Sequence, residues 1–210
     1  MSNYSRERAR ELVAGGQSLI ILGEAVEEMR KMATGRFRLM LTDPPFNHET
    51  EHYDTRQTER YKTYKSIADY AIMHNFFRQL AVEARRVVRK DGRVLVFCDC
   101  YSYPLIYFAF YDLFDHVRAL IWYKGDAHFS LGIKQAFRYS YEMILHAFNT
   151  ESYYEERQRQ DVIKTPVVPS VRRLHPAQKP LVLLTTLIKA TTCEGDEVLD
   201  PFAGSGSISE

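Results

Sequence analysis

The chain has 210 residues, of which 45% are hydrophobic and 26% are charged, and its formal net charge at pH 7 is +1. These values are typical of a globular domain, so they exclude a disordered or fibrous chain and a strongly basic, histone-like DNA binder. The odd number of cysteines argues against a disulfide framework. No apolar run reaches about 20 residues and the charged N-terminus has no signal core, so we expect a cytoplasmic protein without a membrane span.

The predicted elements alternate between strands and helices. In chain order they are a polar helix over 3–13, a buried strand over 18–22, a helix over 24–32, a strand over 37–42, a polar loop over 47–65, a helix over 67–88, the turn Asp91-Gly92, a strand over 93–98, a helix over 104–113, strands over 119–123 and 141–145, a polar excursion over 149–174, a helix over 181–190 and a strand over 197–200. This alternation predicts one α/β domain over 1–210 with a mainly parallel sheet. Ligands bind beyond the carboxyl ends of such strands, so we expect the turns at 43–46 and 200–207 to meet in one cleft.

The turn Asp43-Pro44-Pro45-Phe46 directly follows a predicted strand. Its two prolines fix φ and remove two backbone donors, so the turn is rigid and its carbonyls are free to accept. The Asp43 carboxylate and the Pro44 carbonyl can each accept one N–H of an exocyclic amino group, while Phe46 stacks on the attached heterocycle. Such a grip draws the nitrogen lone pair out of conjugation and aims it at an electrophile. The alternative is an ordinary strand-ending turn with a buried phenylalanine.

Two further segments have the composition of a ligand site. The loop Phe202-Ala203-Gly204-Ser205-Gly206 follows the last predicted strand, and its glycines let a ligand approach the backbone at the start of a helix. It lacks the third glycine of the dinucleotide fingerprint and the lysine of a P-loop, so a tight turn is the alternative. Upstream lies His175-Pro176-Ala177-Gln178-Lys179-Pro180, for which a solvated loop before a helix is the alternative.

In this order, the three motifs resemble those of the amino-methyltransferases of DNA, in the circularly permuted subgroup called the β class. That family has a D/S-P-P-Y/F turn, a target-recognition segment, an H-P-T-Q-K-P stretch and an F-x-G-x-G loop. Weaker similarity at 23–24, 86–92, 121–124 and 142–145 extends the resemblance over nearly the whole chain. It implies a Rossmann-like fold with an antiparallel hairpin, S-adenosylmethionine as cofactor, and methyl transfer to a base amino group of DNA. Aspartate at the head of the turn is more usual for adenine N6 and serine for cytosine N4, which remains the alternative.

The resemblance also implies roles for individual residues. Asp43 and the carbonyl of Pro44 would hold the amino group, Pro45 would complete the rigid turn, and Phe46 would stack on a flipped-out base. The residues expected around the cofactor are Glu24, Asp43, His175, Lys179, Asp200, Phe202, Gly204, Gly206 and Ser207. Of these, Lys179 and His175 would contact the cofactor carboxylate or anchor the glycine loop, and Glu24 is a candidate for the ribose. No metal and no covalent nucleophile is needed, because the sulfonium is already activated, and catalysis would consist of positioning and hydrogen bonding.

The sequence departs from the family pattern at two places. Ala177 stands where the family has threonine, which removes one hydrogen-bonding group. The sequence ends at Glu210, whereas the family continues with a helix and a strand whose acidic residue holds the cofactor ribose. In the family topology that strand would lie between the strands over 197–200 and 18–22. We therefore expect a chain shortened at its C-terminus, which would be a fragment, a naturally shortened protein or half of a split enzyme; a non-catalytic module that binds DNA or a partner is the alternative.

Two patterns suggest a metal ion but lack the other ligands. His48-Glu49-Thr50-Glu51-His52 matches a zinc-hydrolase pattern, yet no apolar helix face accompanies it. Cys98 and Cys100 end a strand without a third or fourth ligand nearby, so we interpret them as core and turn. We expect no metal site.

Basic residues occur in two groups. Arg172 and Arg173 border the excursion over 149–174, where the family places target recognition, so we expect them to contact DNA. Arg85, Arg86, Arg89 and Lys90 are expected to form a solvated helix end. The excursion is short, so a homodimer, which is common in the family, would widen the DNA footprint.

Overall fold

The computed structural model describes residues 18–45, 67–125, 140–155, 160–169 and 178–203. Within these ranges the elements in chain order are α1 (Ala25–Arg30), β1 (Phe37–Thr42), α2 (Ile67–Val87), β2 (Val88–Cys98), α3 (Tyr103–Phe110), β3 (His116–Tyr123), β4 (Tyr141–Phe148), β5 (Val162–Lys164), α4 (Leu181–Thr191) and β6 (Val198–Leu199). No helix in these ranges is both long and apolar enough to cross a bilayer.

The described strands form one sheet in the order β5-β3-β4-β2-β1-β6. β1 pairs in parallel with β2 and β6, and β3 pairs in parallel with β5, whereas β4 is antiparallel to both of its neighbours. Five strands therefore run in one direction and β4 runs in the other. This arrangement confirms the predicted α/β architecture with a mainly parallel sheet and one antiparallel hairpin, β3–β4.

The core occupies both faces of the sheet. β1 is buried along its whole length, and successive side chains point to opposite faces, as expected for a strand covered on both sides. Met40 lies with the apolar faces of α1, α2 and α3, and Leu39 and Leu41 lie with α4 on the other face. The result is a three-layer arrangement with the sheet between two helical layers.

The prediction of a buried strand over 18–22 is wrong. The segment forms no strand, and Ile20 and Leu22 are 78% and 89% exposed. A strand needs a hydrogen-bonded neighbour, and the end of the described sheet is formed by β6, which pairs with β1. A short apolar run does not by itself supply that neighbour.

The predicted turn Asp91-Gly92 is also wrong, because β2 starts at Val88, directly after α2. Phe37 pairs with Val88 but Leu39 pairs with Arg93, so the intervening residues of β2 bulge out of the ladder. A Cβ on Gly92 would lie 2.5 Å from the carbonyl oxygen of Arg38. Glycine is required here because two backbone segments approach closely. In the sequence alone, such a glycine looks the same as a glycine in a turn.

The polar segment 149–174 is more ordered than predicted in its described parts. It contains the edge strand β5, which pairs with residues 121–123 of β3. The Tyr153 N–H donates to the Asp91 carbonyl at 3.0 Å, and the Glu155 N–H donates to the Ala190 carbonyl at 3.1 Å. The described beginning of the segment therefore packs against the body of the domain.

Candidate active site

Acidic residues follow the strands at the carboxyl edge of the sheet. Asp43 comes directly after β1, Asp99 after β2 and Asp200 after β6. Because β4 runs in the opposite direction, its second residue, Glu142, lies at the same edge. The Thr42 Oγ1 donates to Asp200 Oδ1 at 2.7 Å across 158 positions of sequence. This confirms, for the described residues, that the two predicted turns meet.

Asp43 is held from one side. Its Oδ2 lies 2.8 Å from Lys179 Nζ, whereas its Oδ1 is buried and has no hydrogen-bond partner within the described structure. Pro44, which follows, is buried. Proline fixes the chain direction at this point, so the turn presents Asp43 with little backbone freedom. The carboxylate therefore has one anchored oxygen and one available acceptor.

Lys179 connects Asp43 to a second carboxylate. The Lys179 side chain is 10% exposed, and its Nζ lies 3.2 Å from Glu142 Oε2 and 5.0 Å from the centre of the Phe97 ring. The contact between Lys179 and Glu142 is an ion pair rather than a hydrogen bond, since Glu142 Oε2 makes no well-directed hydrogen bond within the described residues. Glu142 Oε1 in turn accepts from Lys124 Nζ at 2.5 Å. Two carboxylates and two lysines thus alternate in a row.

The protonation of this row follows from burial and pairing. Burial raises the pKa of Asp43, and Glu142 adds to the rise, while Lys179 opposes it. Burial also favours neutral Glu142, but Lys179 and Lys124 outweigh it and lower the pKa of that carboxyl. The pKa of Lys179 is raised because Glu142 and Asp43 outweigh the opposing effect of its burial. Lys179 therefore remains charged although it is buried.

Asp200 lies in a less compensated position. Burial raises its pKa to about 6, and the charge of Asp43 adds to the rise, although hydrogen bonds from Thr42 and the Phe202 N–H oppose it. The Phe202 N–H donates to Asp200 Oδ1 at 3.0 Å, and the Phe202 ring packs edge-on against Phe76, 5.9 Å between centres. A carboxyl group perturbed by burial at a strand end is typical of a functional site.

Several predicted site residues stand apart from this cluster. Glu24 is exposed and caps α1, where its carboxylate accepts from the Glu27 N–H at 2.9 Å. Pro45 is exposed beside Pro44.

Other sequence predictions concern residues outside the described ranges. These are Phe46, the histidine-rich pattern at 48–52, Arg172, Arg173, His175, Gly204, Gly206 and Ser207. Their roles stay predictions.

Lys124, Glu142 and Thr42 belong to the site but are not among the residues that the sequence predicted there. The signal for the first two was present in the hairpin similarity at 121–124 and 142–145. An acidic residue at the start of an antiparallel strand faces the same edge as residues at the ends of parallel strands. Only the strand order, which the sequence does not display, reveals this.

The basic residues at the end of α2 have structural contacts. Arg85 donates to the Leu113 carbonyl at 3.1 Å, Arg86 donates to the Met32 carbonyl at 2.7 Å, and both side chains are half-buried. The prediction of a solvated helix end is therefore wrong for these two residues. The described residues contain no group of three or more metal-ligating side chains.

A cavity of about 310 Å³ lies elsewhere, between the sheet and α4. Its walls include Arg93 and His146. Arg93 is the first residue of β2 that pairs with β4, and His146 lies near the end of β4. That position is the amino edge of the parallel strands. Arg93 donates there to the carbonyls of Tyr153 and Ser152, at 2.7 and 3.1 Å. The cavity is therefore separate from the acidic cluster.

Sequence similarity to known proteins extends along most of the chain. A model of the DNA methylase family matches residues 37–210. YhdJ, a DNA adenine methyltransferase of Escherichia coli strain K12, is 28% identical to this chain. The alignment has 222 positions, gaps included, and covers 89% of this chain and 71% of that relative.

Solved structures share the fold. The protein TTHA0409 of Thermus thermophilus, solved in complex with S-adenosyl-L-methionine, has a TM-score of 0.62 and 20% identity, covering 90% of this chain and 81% of that one. PvuII DNA methyltransferase, a cytosine-N4-specific enzyme, has a TM-score of 0.66 and 15% identity, covering 89% of this chain and 74% of that one. The predicted Rossmann-like methyltransferase fold is thereby confirmed.

Proposed function

The chain belongs to the DNA methylase family, and on that premise we propose that it transfers a methyl group from S-adenosylmethionine to the N6 amino group of adenine in DNA. The observation that carries the proposal is the Asp43 carboxylate, which has one oxygen anchored by Lys179 and the other buried without a hydrogen-bond partner among the described residues. A buried acceptor without a donor is costly unless a ligand supplies one. An exocyclic amino group is a donor of the required kind.

In the proposed reaction, groups of this chain hold and orient the target base. Asp43 Oδ1 accepts one N–H of the amino group, the Pro44 carbonyl accepts the other, and Phe46 stacks on the flipped base. The nitrogen lone pair is then directed out of the ring plane. The cofactor, when bound, supplies a methyl group activated by the sulfonium. Formation of the N–C bond would break the methyl–sulfur bond of the cofactor, and the amino nitrogen would lose one proton, which Asp43 Oδ1, already its hydrogen-bond acceptor, would take up and release to solvent.

The charge of the site supports a cationic cofactor. At the carboxyl edge, the described carboxylates of Asp43, Glu142 and Asp200 lie with two lysines, Lys124 and Lys179, which pair with the first two of them. The remaining negative charge, together with the raised pKa of Asp200, suits a ligand that carries a sulfonium. Asp200, Phe202, Gly204, Gly206 and Ser207 are proposed to surround its methionine part, with His175 nearby and Glu24 a candidate for the ribose.

Adenine is preferred over cytosine as the target base. Aspartate heads the proline turn of this chain, as is more usual for adenine N6, and the E. coli relative named above is an adenine methyltransferase. Both bases present an exocyclic amino group to the same acceptors. Cytosine N4 is therefore the specific alternative that the experiment must separate.

The direct test is transfer of a tritiated methyl group from S-adenosylmethionine to unmethylated DNA, followed by nucleoside identification. The proposal predicts label in N6-methyladenine. Label in N4-methylcytosine would overturn the choice of base, and absence of label in any nucleoside would favour a non-catalytic module.

DNA recognition is proposed to involve the segment 149–174, with Arg172 and Arg173 contacting phosphates. Such contacts are sequence-independent and weaken with salt, so they position the chain on the duplex. A second copy of the chain would extend the footprint.

The solvent face of α3 supports pairing with a second copy. Tyr101, Pro104, Phe108 and Tyr111 recur at helical spacing, and the three aromatic side chains are 64%, 66% and 60% exposed. Since each aromatic side chain offers roughly 150–250 Å², this face exposes about 300–450 Å² of mainly apolar surface. The same patch on two copies can meet across a two-fold axis without like charges in contact. The area predicts a weak, concentration-dependent homodimer.

A further inference from the structure

We propose that Lys179 and Glu142 are positioning residues, which hold the Asp43 carboxylate in a single orientation with Oδ1 left for the substrate amino group. The inference rests on the proposed function, in which Asp43 accepts that amino group. It assigns Lys179 to the alignment of Asp43 rather than to the carboxylate of the cofactor.

The two oxygens of the Asp43 carboxylate have different environments. A carboxylate rotates about its Cβ–Cγ bond unless one oxygen is anchored, and both oxygens are equivalent acceptors. Here Lys179 Nζ lies 2.8 Å from Oδ2, while Oδ1 is buried and has no hydrogen-bond partner in the part of the chain that the structure describes. The contact therefore selects which oxygen remains available.

Lys179, which anchors Oδ2, is itself held in place. Lys179 is fixed on three sides, by Asp43 after β1, by Glu142 on β4 and by the Phe97 ring on β2. Glu142 is fixed in turn by Lys124, which follows β3. A lysine with a single partner on a flexible stem would position little, because its rotamers are many. Here neighbours on three strands restrict it.

Charged and titratable groups surround the Asp43 carboxylate. Among the described residues these are Lys179, Glu142, Lys124, the Asp200 carboxyl after β6 and the Cys98 thiol at the end of β2. Both lysines lower the pKa of Asp43, and Glu142 raises it. Removal of Glu142 must therefore lower this pKa, and removal of Lys179 must raise it. A general loss of structure would not move one titration in opposite directions.

The experiment is a ¹³C NMR titration of the Asp43 carboxyl carbon, assigned by its loss in Asp43→Asn. We expect a lower midpoint in Glu142→Gln and a higher midpoint in Lys179→Met than in the wild type. Lys124→Met provides a second test on the same row and should also raise the midpoint. Equal or reversed shifts in these folded variants would overturn the proposal. Glu151→Gln and Lys189→Met, both at exposed positions, are matched controls that should not move it.

Enzyme kinetics provide an independent readout. In a positioning role, Glu142→Gln lowers kcat by tenfold or more, which corresponds to about 1.4 kcal/mol, while cofactor affinity changes by less than about twofold. The acid limb of the kcat profile follows the NMR midpoint of Asp43. A large loss of S-adenosylmethionine affinity in Lys179→Met, with the Asp43 midpoint unmoved, would return Lys179 to the cofactor carboxylate.

The two proposals can fail separately. A wild-type chain that transfers no methyl group but shows the opposite titration shifts would contradict the proposed function and support the alignment of Asp43. An active chain in which the Asp43 midpoint is the same with and without Glu142 and Lys179 would support the proposed function. The same result would overturn the proposal that these two residues orient Asp43.

Discussion

At the scale of single residues, Asp200 shows how a site can cost stability. Its folded-state pKa of about 6 lies above the ordinary value of 3.8, because the carboxylate is buried. The stability that comes with this raised pKa is fully present below the pKa of Asp200 in the unfolded chain. It is lost as pH rises through the pKa of Asp200 in the folded chain. At neutral pH the ionised group therefore destabilises the fold by up to about 3 kcal/mol. This cost is expected of a group retained for a ligand.

Replacement of Asp200 by asparagine should raise the melting temperature at neutral pH. The amide oxygen can still accept from Thr42 and Phe202, but no buried charge remains. Thermal unfolding monitored by circular dichroism above pH 7 measures the change, with Asp161→Asn at an exposed position as the control. An unchanged or lower melting temperature would mean that a cation neutralises Asp200 in the free protein.

At the scale of elements, the helix α3 is apolar on both faces. Its inner side places Ile106, Ala109 and Phe110 in the core, whereas its outer side exposes Phe108 and Tyr111. A helix that is hydrophobic all round is normally covered on all sides. Self-association at this face is the expected consequence.

The substitution Phe108→Glu should abolish this association. Two copies of the charge would be buried in one two-fold contact, which is unfavourable without counter-ions. Sedimentation at increasing concentration should show dimer formation for the wild type and a monomer for the variant. Val182→Glu, at a site 68% exposed on α4, is the matched control and should dimerise as the wild type does. A monomeric wild type would contradict this use of α3.

The sequence predicted elements whose pattern is local. The helical spacing of α2, the buried run of β1 and the apolar stretch of α4 are each visible within one segment, and the structure confirms them. The exposed segment 18–22, the bulge before Arg93 and the edge strand β5 depend on which backbone lies alongside. For the same reason the sequence identified Asp43 and Lys179 but not their link through Glu142 and Lys124. Those four residues come from four separate parts of the chain.

At the scale of the whole molecule, the two edges of the sheet differ in their response to pH. At the amino edge, burial first, and then the charges of Arg93 and Arg118, lower the pKa of His146 from 6.5 to about 3. Stability linked to neutral His146 is fully present above about pH 6.5 and is lost as pH falls towards 3, by up to about 1.4 kcal/mol per pH unit. Protonation of Asp200 below pH 6 acts in the opposite direction.

The variant His146→Gln isolates the histidine contribution. A glutamine oxygen can still accept from Arg93 but does not become charged, so the free energy of unfolding should fall less between about pH 7 and pH 5 than in the wild type. Urea unfolding at both pH values measures this, and His74→Gln, at a half-buried position on α2, is the control. Parallel curves for wild type and His146→Gln would show that His146 is already accessible to protons.

The central claim is that the Asp43 carboxylate holds the amino group that is methylated. The most direct measurement compares wild type and Asp43→Ala in tritiated methyl transfer to unmethylated DNA, with Glu194→Ala, at an exposed position before β6, as the control and circular dichroism to establish folding. We predict label in N6-methyladenine for the wild type and for Glu194→Ala. For a folded Asp43→Ala we predict a loss of at least a hundredfold, about 2.7 kcal/mol of transition-state stabilisation. Unchanged turnover in Asp43→Ala would contradict the claim.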